Sequence, residues 1–168
     1  MDVQAWADQV DAQITATIRR KGWYITYIGG GTCSRPGCEP EPDDRPPFAY
    51  TIGLFGLNHP ELLMVGIPPD VAAGALNTLG RRVRDGAALI PGQMVAFDDW
   101  PHRVVPEEVP NPGDIVLWAN DYYHRPPEHS VPVLQLTYDD TEGRFPWEDG
   151  YAAPDLQPRP GSWAAWDA

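Results

Sequence analysis

Basic residues are scarce in this chain: 12 lysines and arginines stand against 24 aspartates and glutamates, for a formal net charge of −12. That exceeds the magnitude of about 2–8 usual for a small soluble domain. A protein that grips phosphates needs a basic face. The basic clusters here are Arg19-Arg20-Lys21 and Arg81-Arg82-Val83-Arg84, each at the end of an expected helix, where it complements the helix dipole. Direct binding to nucleic acid is therefore not expected, whereas a basic protein partner is.

Cysteine is scarcer still, with only Cys33 and Cys38. They flank the turn dipeptide Pro36-Gly37, and free thiols are the expectation in a reducing compartment. A short-loop disulfide, worth at most about 2 kcal/mol, stays open. So does a metal site, which would need further ligands from His59, His102, His124 or His129. Long apolar runs are missing too. None approaches the roughly 20 residues that span a bilayer, and no basic segment followed by an apolar block opens the chain, so a cytoplasmic protein with no membrane contact is expected. There is no G-x-S-x-G elbow, and neither cysteine has the context of a catalytic thiol, which disfavours covalent catalysis by Ser or Cys. Gly29-Gly30-Gly31 lacks the Lys-Ser/Thr ending and following helix of a phosphate loop.

What is present describes a folded domain. The 168 residues, 42% hydrophobic and 21% charged, suit one core that buries roughly two-thirds of the unfolded chain's surface. The 20 prolines are about twice the usual share of roughly 5%, so stiff, extended connections are expected. The organising stretch is Phe48 to Pro68: two apolar runs, Phe48–Leu54 and Leu62–Ile67, joined by Gly56, Asn58, His59 and Pro60. This reads as a β-hairpin, and its nearly continuous apolar character predicts a sheet covered on both faces.

Upstream, Val3, Trp6, Ala7, Val10, Ile14 and Ile18 recur at helical spacing and Gly22 follows the basic cluster, which predicts an amphipathic helix over residues 2–20. Trp23–Ile28 reads as a strand, and Thr32–Pro47, with five prolines and Glu39, Glu41, Asp43 and Asp44, as a surface excursion. Downstream, Val71, Ala72, Ala75, Leu76, Leu79 and Val83 fall on one helical face between Pro69 and Gly86. The small residues Ala72, Gly74, Ala75 and Gly80 are expected to let that helix approach the sheet. Ala88–Asp98, His102–Val109 and Val131–Asp139 read as strands. A short helix is expected from an N-cap at Asp114 to Tyr123, broken by Pro126-Pro127. From Asp140 on come turns, prolines and aromatics, with Arg144–Trp147 tucked against the body and Trp163 and Trp166 either docked or disordered. The expected architecture is one α+β domain over residues 1–151, with a tail over 152–168. Its sheet is mainly antiparallel with about five or six strands, covered by the N-terminal and central helices; a partly closed barrel is the alternative.

Three blocks in this order, Phe48-Ala49-Tyr50-Thr51-Ile52-Gly53-Leu54, His59-Pro60-Glu61-Leu62, and Pro132-Val133-Leu134-Gln135-Leu136 followed by Gly143-Arg144-Phe145-Pro146-Trp147, resemble a bacterial family described as domain of unknown function 4262. The resemblance covers roughly residues 1–151. It implies a soluble α+β domain and no catalytic assignment, and the acidic excursion is longer than the family leads one to expect.

Two stretches invite a site. His59-Pro60-Glu61 places an imidazole base near a carboxylate; the structural alternative is a turn bent by Pro60 with His59 solvated. Tyr122-Tyr123-His124-Arg125 closes a helix beside a proline break, so Tyr123 and His124 are expected on a supported ledge. The structural alternative there puts Tyr122 in the core, Tyr123 half-buried, and His124 at a helix C-terminus for its dipole. A metal held by His124, His129 and Asp121 or Glu128 is a further arrangement, which the spacing leaves unspecified. Catalytic candidates are thus Tyr123, His124 and His59. The ligand-binding set is Tyr50, Trp118, Tyr122, Tyr123, His124 and Trp147, suited to a planar, flavin-like molecule. The favoured function is a non-enzymatic accessory or interaction protein that binds a basic partner, with no cofactor; the alternative is a small-molecule binder or enzyme using that aromatic set.

Overall fold

The computed structural model describes residues 2–29, 36–37, 46–152 and 156–165. Helix α1 (Val3–Lys21) starts where the Asp2 carboxylate accepts the Ala5 amide at 2.7 Å and stops where Gly22, at φ 107°, turns left-handed. Strands β1 (Tyr24–Ile28), β2 (Phe48–Ile52) and β3 (Glu61–Val65) follow, and then helix α2 (Pro69–Arg84). Strands β4 (Val95–Ala96) and β5 (Arg103–Glu108), the short helix α3 (Leu117–Tyr122) and strand β6 (Val133–Tyr138) complete the order.

Among the described residues six strands form one sheet in the order β1-β2-β3-β6-β5-β4, antiparallel throughout except for the β3–β6 pair. The hairpin is present, with Phe48 opposite Val65 and Tyr50 opposite Leu63. Its connection is more than a turn, for it carries a 3-10 turn, Leu54–Leu57. The sheet is open, with β1 and β4 at its edges, so the chain does not form the barrel held as the alternative.

Side chains of a strand alternate between faces, and both faces here are covered. On one, Ala49, Leu62, Met64, Val104, Leu134 and Leu136 pack with Trp23 against Ala72, Ala75, Leu76 and Leu79 of α2. On the other, Phe48, Tyr50, Ile52, Leu63, Val65 and Val133 pack with Ile14 of α1 and Ala119 of α3. Helices on both sides explain why the runs over β2 and β3 are apolar without alternation. Each fully buried leucine or isoleucine contributes about 1.5–3 kcal/mol before ordering costs. Gly80 is the small residue that permits close approach, since a Cβ there would come 2.6 Å from the Trp23 ring. Gly74 is exposed with nothing within 4 Å, so it plays no such part.

Two expected elements come out differently. Of Ala88–Asp98 only Val95–Ala96 is strand, because a turn at Pro91-Gly92 interrupts the run and leaves residues 90–94 exposed. The helix expected from Asp114 is split. Asp114 ends a 3-10 turn, Pro112–Asp114, without capping anything through its side chain, and α3 begins at Leu117. Gly113 packs against the Pro127 carbonyl at a place where a Cβ would collide, and that contact fixes the turn's position. Residues 156–165 are docked: Gln157 is buried, and Trp163 meets Phe48 edge-on at 5.2 Å. Gly30, Gly31, Cys33, Cys38 and Trp166 lie outside the described residues.

Candidate functional site

Where β2 ends, the backbone runs so close to Gly22 and Trp23 that a Cβ on Gly53 would collide with both, and Gly53 takes φ 132°. This turns three successive amides toward the first residue of β3. Glu61 receives them: its Oε1 accepts from Gly53 N at 2.8 Å and Phe55 N at 3.0 Å, and its Oε2 from Leu54 N at 3.3 Å and the Thr51 hydroxyl at 2.6 Å. Thr51 Oγ1 in turn accepts the Leu62 amide at 2.9 Å. The carboxylate has no solvent exposure and sits at the N-terminus of the 3-10 turn, where free amides favour negative charge. Burial pushes the Glu61 carboxyl up to about 6, against the hydrogen bonds that hold it down.

Tyr123 reaches this carboxylate from α3. Its hydroxyl donates to Glu61 Oε1 at 3.4 Å and accepts the Gly56 amide at 3.3 Å. Burial, and then the Glu61 charge, raise its phenol well above the ordinary tyrosine range. Its ring stands edge-on to Phe55 at 5.1 Å, and the Arg125 guanidinium lies over the same Phe55 at 5.1 Å. The ledge is therefore pinned to the central hairpin by Tyr123.

The other sequence candidates scatter around it. Tyr50 is fully buried, and its hydroxyl accepts the Trp118 amide at 3.1 Å, satisfying a free donor in the first turn of α3. Trp118 is half-buried, edge-on to Trp6 at 5.7 Å, and Tyr122 meets Tyr123 at 4.9 Å. His124 is exposed at φ 55°, just past the C-terminus of α3. Trp147 belongs to a different neighbourhood, stacked on Phe145 at 4.9 Å with the Arg159 guanidinium over its ring at 5.0 Å.

His59 is buried rather than solvated. Its Nδ1 donates to the Pro60 carbonyl at 2.8 Å, and its Nε2 accepts the Leu89 amide at 3.0 Å. Both ring nitrogens are thus engaged, and the side chain ties the hairpin to the segment after α2. His124 and His129 do not build a centre, since among the described residues no group of three or more His, Cys, Asp and Glu is arranged to hold a metal ion.

A constellation that the sequence reading missed lies between β5 and β6. Asp139 is buried and accepts from Arg103 N at 3.1 Å and Arg103 Nε at 3.0 Å. His102 Nδ1 lies 3.0 Å from Asp139 Oδ1 and 2.7 Å from its carbonyl. That fixes a donor on Nδ1 and leaves Nε2 without a partner among the described residues, on a side chain 22% exposed. Trp100 lies against the imidazole at 4.9 Å and Tyr138 at 6.0 Å. The Arg103 guanidinium spans to the Gly143 carbonyl at 2.8 Å and lies over Phe145 at 5.4 Å. Such an imidazole is an oriented proton acceptor. The signal was available once β5 and β6 were paired, because the register Val104 opposite Tyr138 brings Arg103 level with Asp139.

The family model described as Domain of unknown function (DUF4262) matches residues 17–152. The chain belongs to that family. No curated protein and no solved structure matches it. The DUF4262 match takes in Thr51–Phe55, Glu61, His102, Tyr123 and Asp139, so both constellations lie within the shared domain; residues 156–165 lie outside it. Among the described residues no helix is long and apolar enough to cross a membrane.

Proposed function

We propose that this chain is a bacterial cytoplasmic interaction protein whose acidic surface binds a basic protein partner. The observation that carries this reading is where the acids stand. Among the described residues, Glu61 and Asp139 are the buried acids, and the others reach the surface. Among the described residues, the surface acids within ion-pair distance of a cation are Asp85, Glu107 and Glu142. An uncompensated field of one sign steers an oppositely charged partner and raises its association rate. The scarcity of cysteine supports a reducing compartment. The test is capture of binding proteins at low salt, followed by association kinetics with the recovered partner as salt is raised. A basic partner whose on-rate falls with salt is expected, since exposed charges are screened over about 8 Å at physiological ionic strength. A neutral or acidic partner, or an on-rate indifferent to salt, overturns the reading.

The His102–Asp139 pair favours a second reading, a small-molecule site that works by proton transfer. Beside Trp100, a cleft of about 200 Å³ opens between Phe97, Asp99 and the Val71–Thr78 face of α2. Hydrolysis of activated esters by the parent and by His102→Gln tests this. Equal rates remove it.

A further inference from the structure

Of the two glycines in α2, packing accounts for one. Gly80 makes room for the Trp23 ring. Gly74 makes room for no neighbour: it stands inside the helix, and a Cβ added there would meet nothing within 4 Å. A glycine in a helix interior lowers stability, so its place here calls for another cause. What the missing side chain leaves is space. Gly74 lines the cleft of about 200 Å³ between α2 and the connection from β4 to β5. Val71, Ala75 and Thr78 continue that wall at helical spacing, and Phe97, Asp99 and Trp100 form the facing one. Phe97 and Trp100 meet edge-on at 5.3 Å and pack against the core on the α2 side of the sheet.

The chemistry of the walls selects the occupant. Among the described residues that line the cleft none carries a positive charge. Its side-chain donors are neutral: the Trp100 indole N–H, and the Thr78 hydroxyl, which is committed to the Gly74 carbonyl at 2.9 Å. Asp99 is exposed, and among the described residues no cation lies within ion-pair distance of it. Arg81 and Arg82 stand beyond Thr78 and are not lining residues. Arg81 donates to the Thr78 hydroxyl at 3.4 Å, while Arg82 donates to the Ala96 carbonyl at 3.3 Å and lies over the Phe97 ring at 5.8 Å. One ring of the cleft thus already holds a cation. An anion entering the cleft would meet an unneutralised carboxylate; a cation would meet that carboxylate and aromatic rings that attract positive charge. The volume falls below the roughly 300 Å³ at which sites for drug-sized ligands begin, so the molecule is small.

We propose that this cleft binds a small organic cation, an amine or quaternary ammonium of a few carbons, held by Asp99 against Phe97 and Trp100 in the space that Gly74 leaves. This rests on the second reading above, whose cleft it is, and names the class of molecule that the site takes.

The test is titration calorimetry on the full chain with choline and methylammonium as probes. The controls are the alcohol in which carbon replaces the choline nitrogen, and pivalate, an anion of like bulk. The parent binds at least one of the two cations. The uncharged isostere of choline binds at least about tenfold more weakly than choline, and pivalate does not bind. Gly74→Leu places a side chain at the cleft and abolishes cation binding. Asp99→Asn weakens it about threefold to fivefold. Both positions are exposed, so both variants keep the parent's circular dichroism. Binding of neither cation by the parent overturns the proposal. So does equal affinity for choline and its isostere, tighter binding of pivalate, or cation binding unchanged in both variants.

The proposal and the second reading fail separately. If His102→Gln hydrolyses activated esters as fast as the parent and still binds the cation, proton transfer is removed and the cation site stands. If His102→Gln slows hydrolysis while the parent binds neither cation, the cation site is removed and proton transfer stands.

Discussion

The Glu61 carboxylate lies 2.8 Å from the Gly53 amide, across the connection between β2 and β3. A single buried anion thereby gathers the exit of one strand, the 3-10 turn and the start of the next, and it does so through backbone groups that would otherwise be buried without partners. The turn's shape depends on Gly53, which alone tolerates φ 132° beside Gly22. The ledge depends on it as well, because Tyr123 bonds both to Glu61 and to Gly56 of that turn.

Glu61→Gln therefore places an amide NH₂ among donors, and a loss of about 2–4 kcal/mol is expected in chemical unfolding. The pH dependence carries its own sign. Folded Glu61 keeps its proton up to about 6, while the unfolded chain releases it near 4.5. The folded state thus binds more protons in that window, and stability falls as pH rises through it, by roughly 2 kcal/mol from this group. Above the window the contribution is flat. The parent should therefore lose stability relative to Glu61→Gln between pH 4.5 and pH 6; parallel stability curves across that range would refute the assignment.

The two helical glycines of α2 should respond oppositely to alanine. Gly80→Ala drives a methyl into the Trp23 indole, 2.6 Å away, and overpacking of that kind costs about 1–3 kcal/mol, more than the helix propensity it gains. Gly74→Ala meets nothing within 4 Å and should stabilise by up to about 1 kcal/mol. Thermal melts of the two variants check the contrast, and equal shifts would show that Trp23 is not seated on α2.

The sheet was legible because its signals are local. The apolar runs over Phe48–Ile52 and Glu61–Val65, the spacing of Leu76 and Leu79, and the Gly22 stop each need only a few neighbouring residues. Tyr123 was singled out from its place at a helix end beside prolines. Its partner Glu61 was read only as a companion of His59, because three of the donors that hold Glu61 come from the backbone of residues 53–55 and leave no trace in side-chain chemistry. His102 and Asp139 stand 37 residues apart, and their meeting depends on strand register, which periodicity does not fix. Gln157, whose side-chain amide bonds both the N–H and the carbonyl of Tyr138 at 2.9 Å, was invisible for a related reason, since an amide that imitates a strand has no sequence pattern.

His124 stands at φ 55°, while the next amide, Arg125 N, reaches back to the Asn120 carbonyl at 2.8 Å. That is the helix-ending geometry in which glycine is usual, and an L residue there pays roughly 1 kcal/mol. His124→Gly should raise stability by about 0.5–1 kcal/mol in urea unfolding, and His124→Ala should not. Should glycine destabilise instead, the histidine side chain contributes a contact that outweighs its backbone strain.

The four histidines differ in which ring nitrogen is free, and acylation of imidazole by diethyl pyrocarbonate, mapped by peptide mass, reads that difference. His59 is buried with Nδ1 bonded to Pro60 and Nε2 to Leu89, so it should be spared until the protein unfolds. His102 holds Nδ1 against Asp139 and presents Nε2 at a partly exposed ring edge; it should react in the native state, as should the exposed His124 and His129. Asp139→Asn removes the charge shared by His102 and Arg103 and should cost about 2–3 kcal/mol, less than a fully buried pair because the Arg103 side chain is 39% exposed. In that variant the imidazole has lost the carboxylate that fixes its tautomer, so the rate at His102 should change while the rate at His124 does not. Modification of His59 as fast as His102 in the folded parent would sink both assignments, because the two rings would then share one environment.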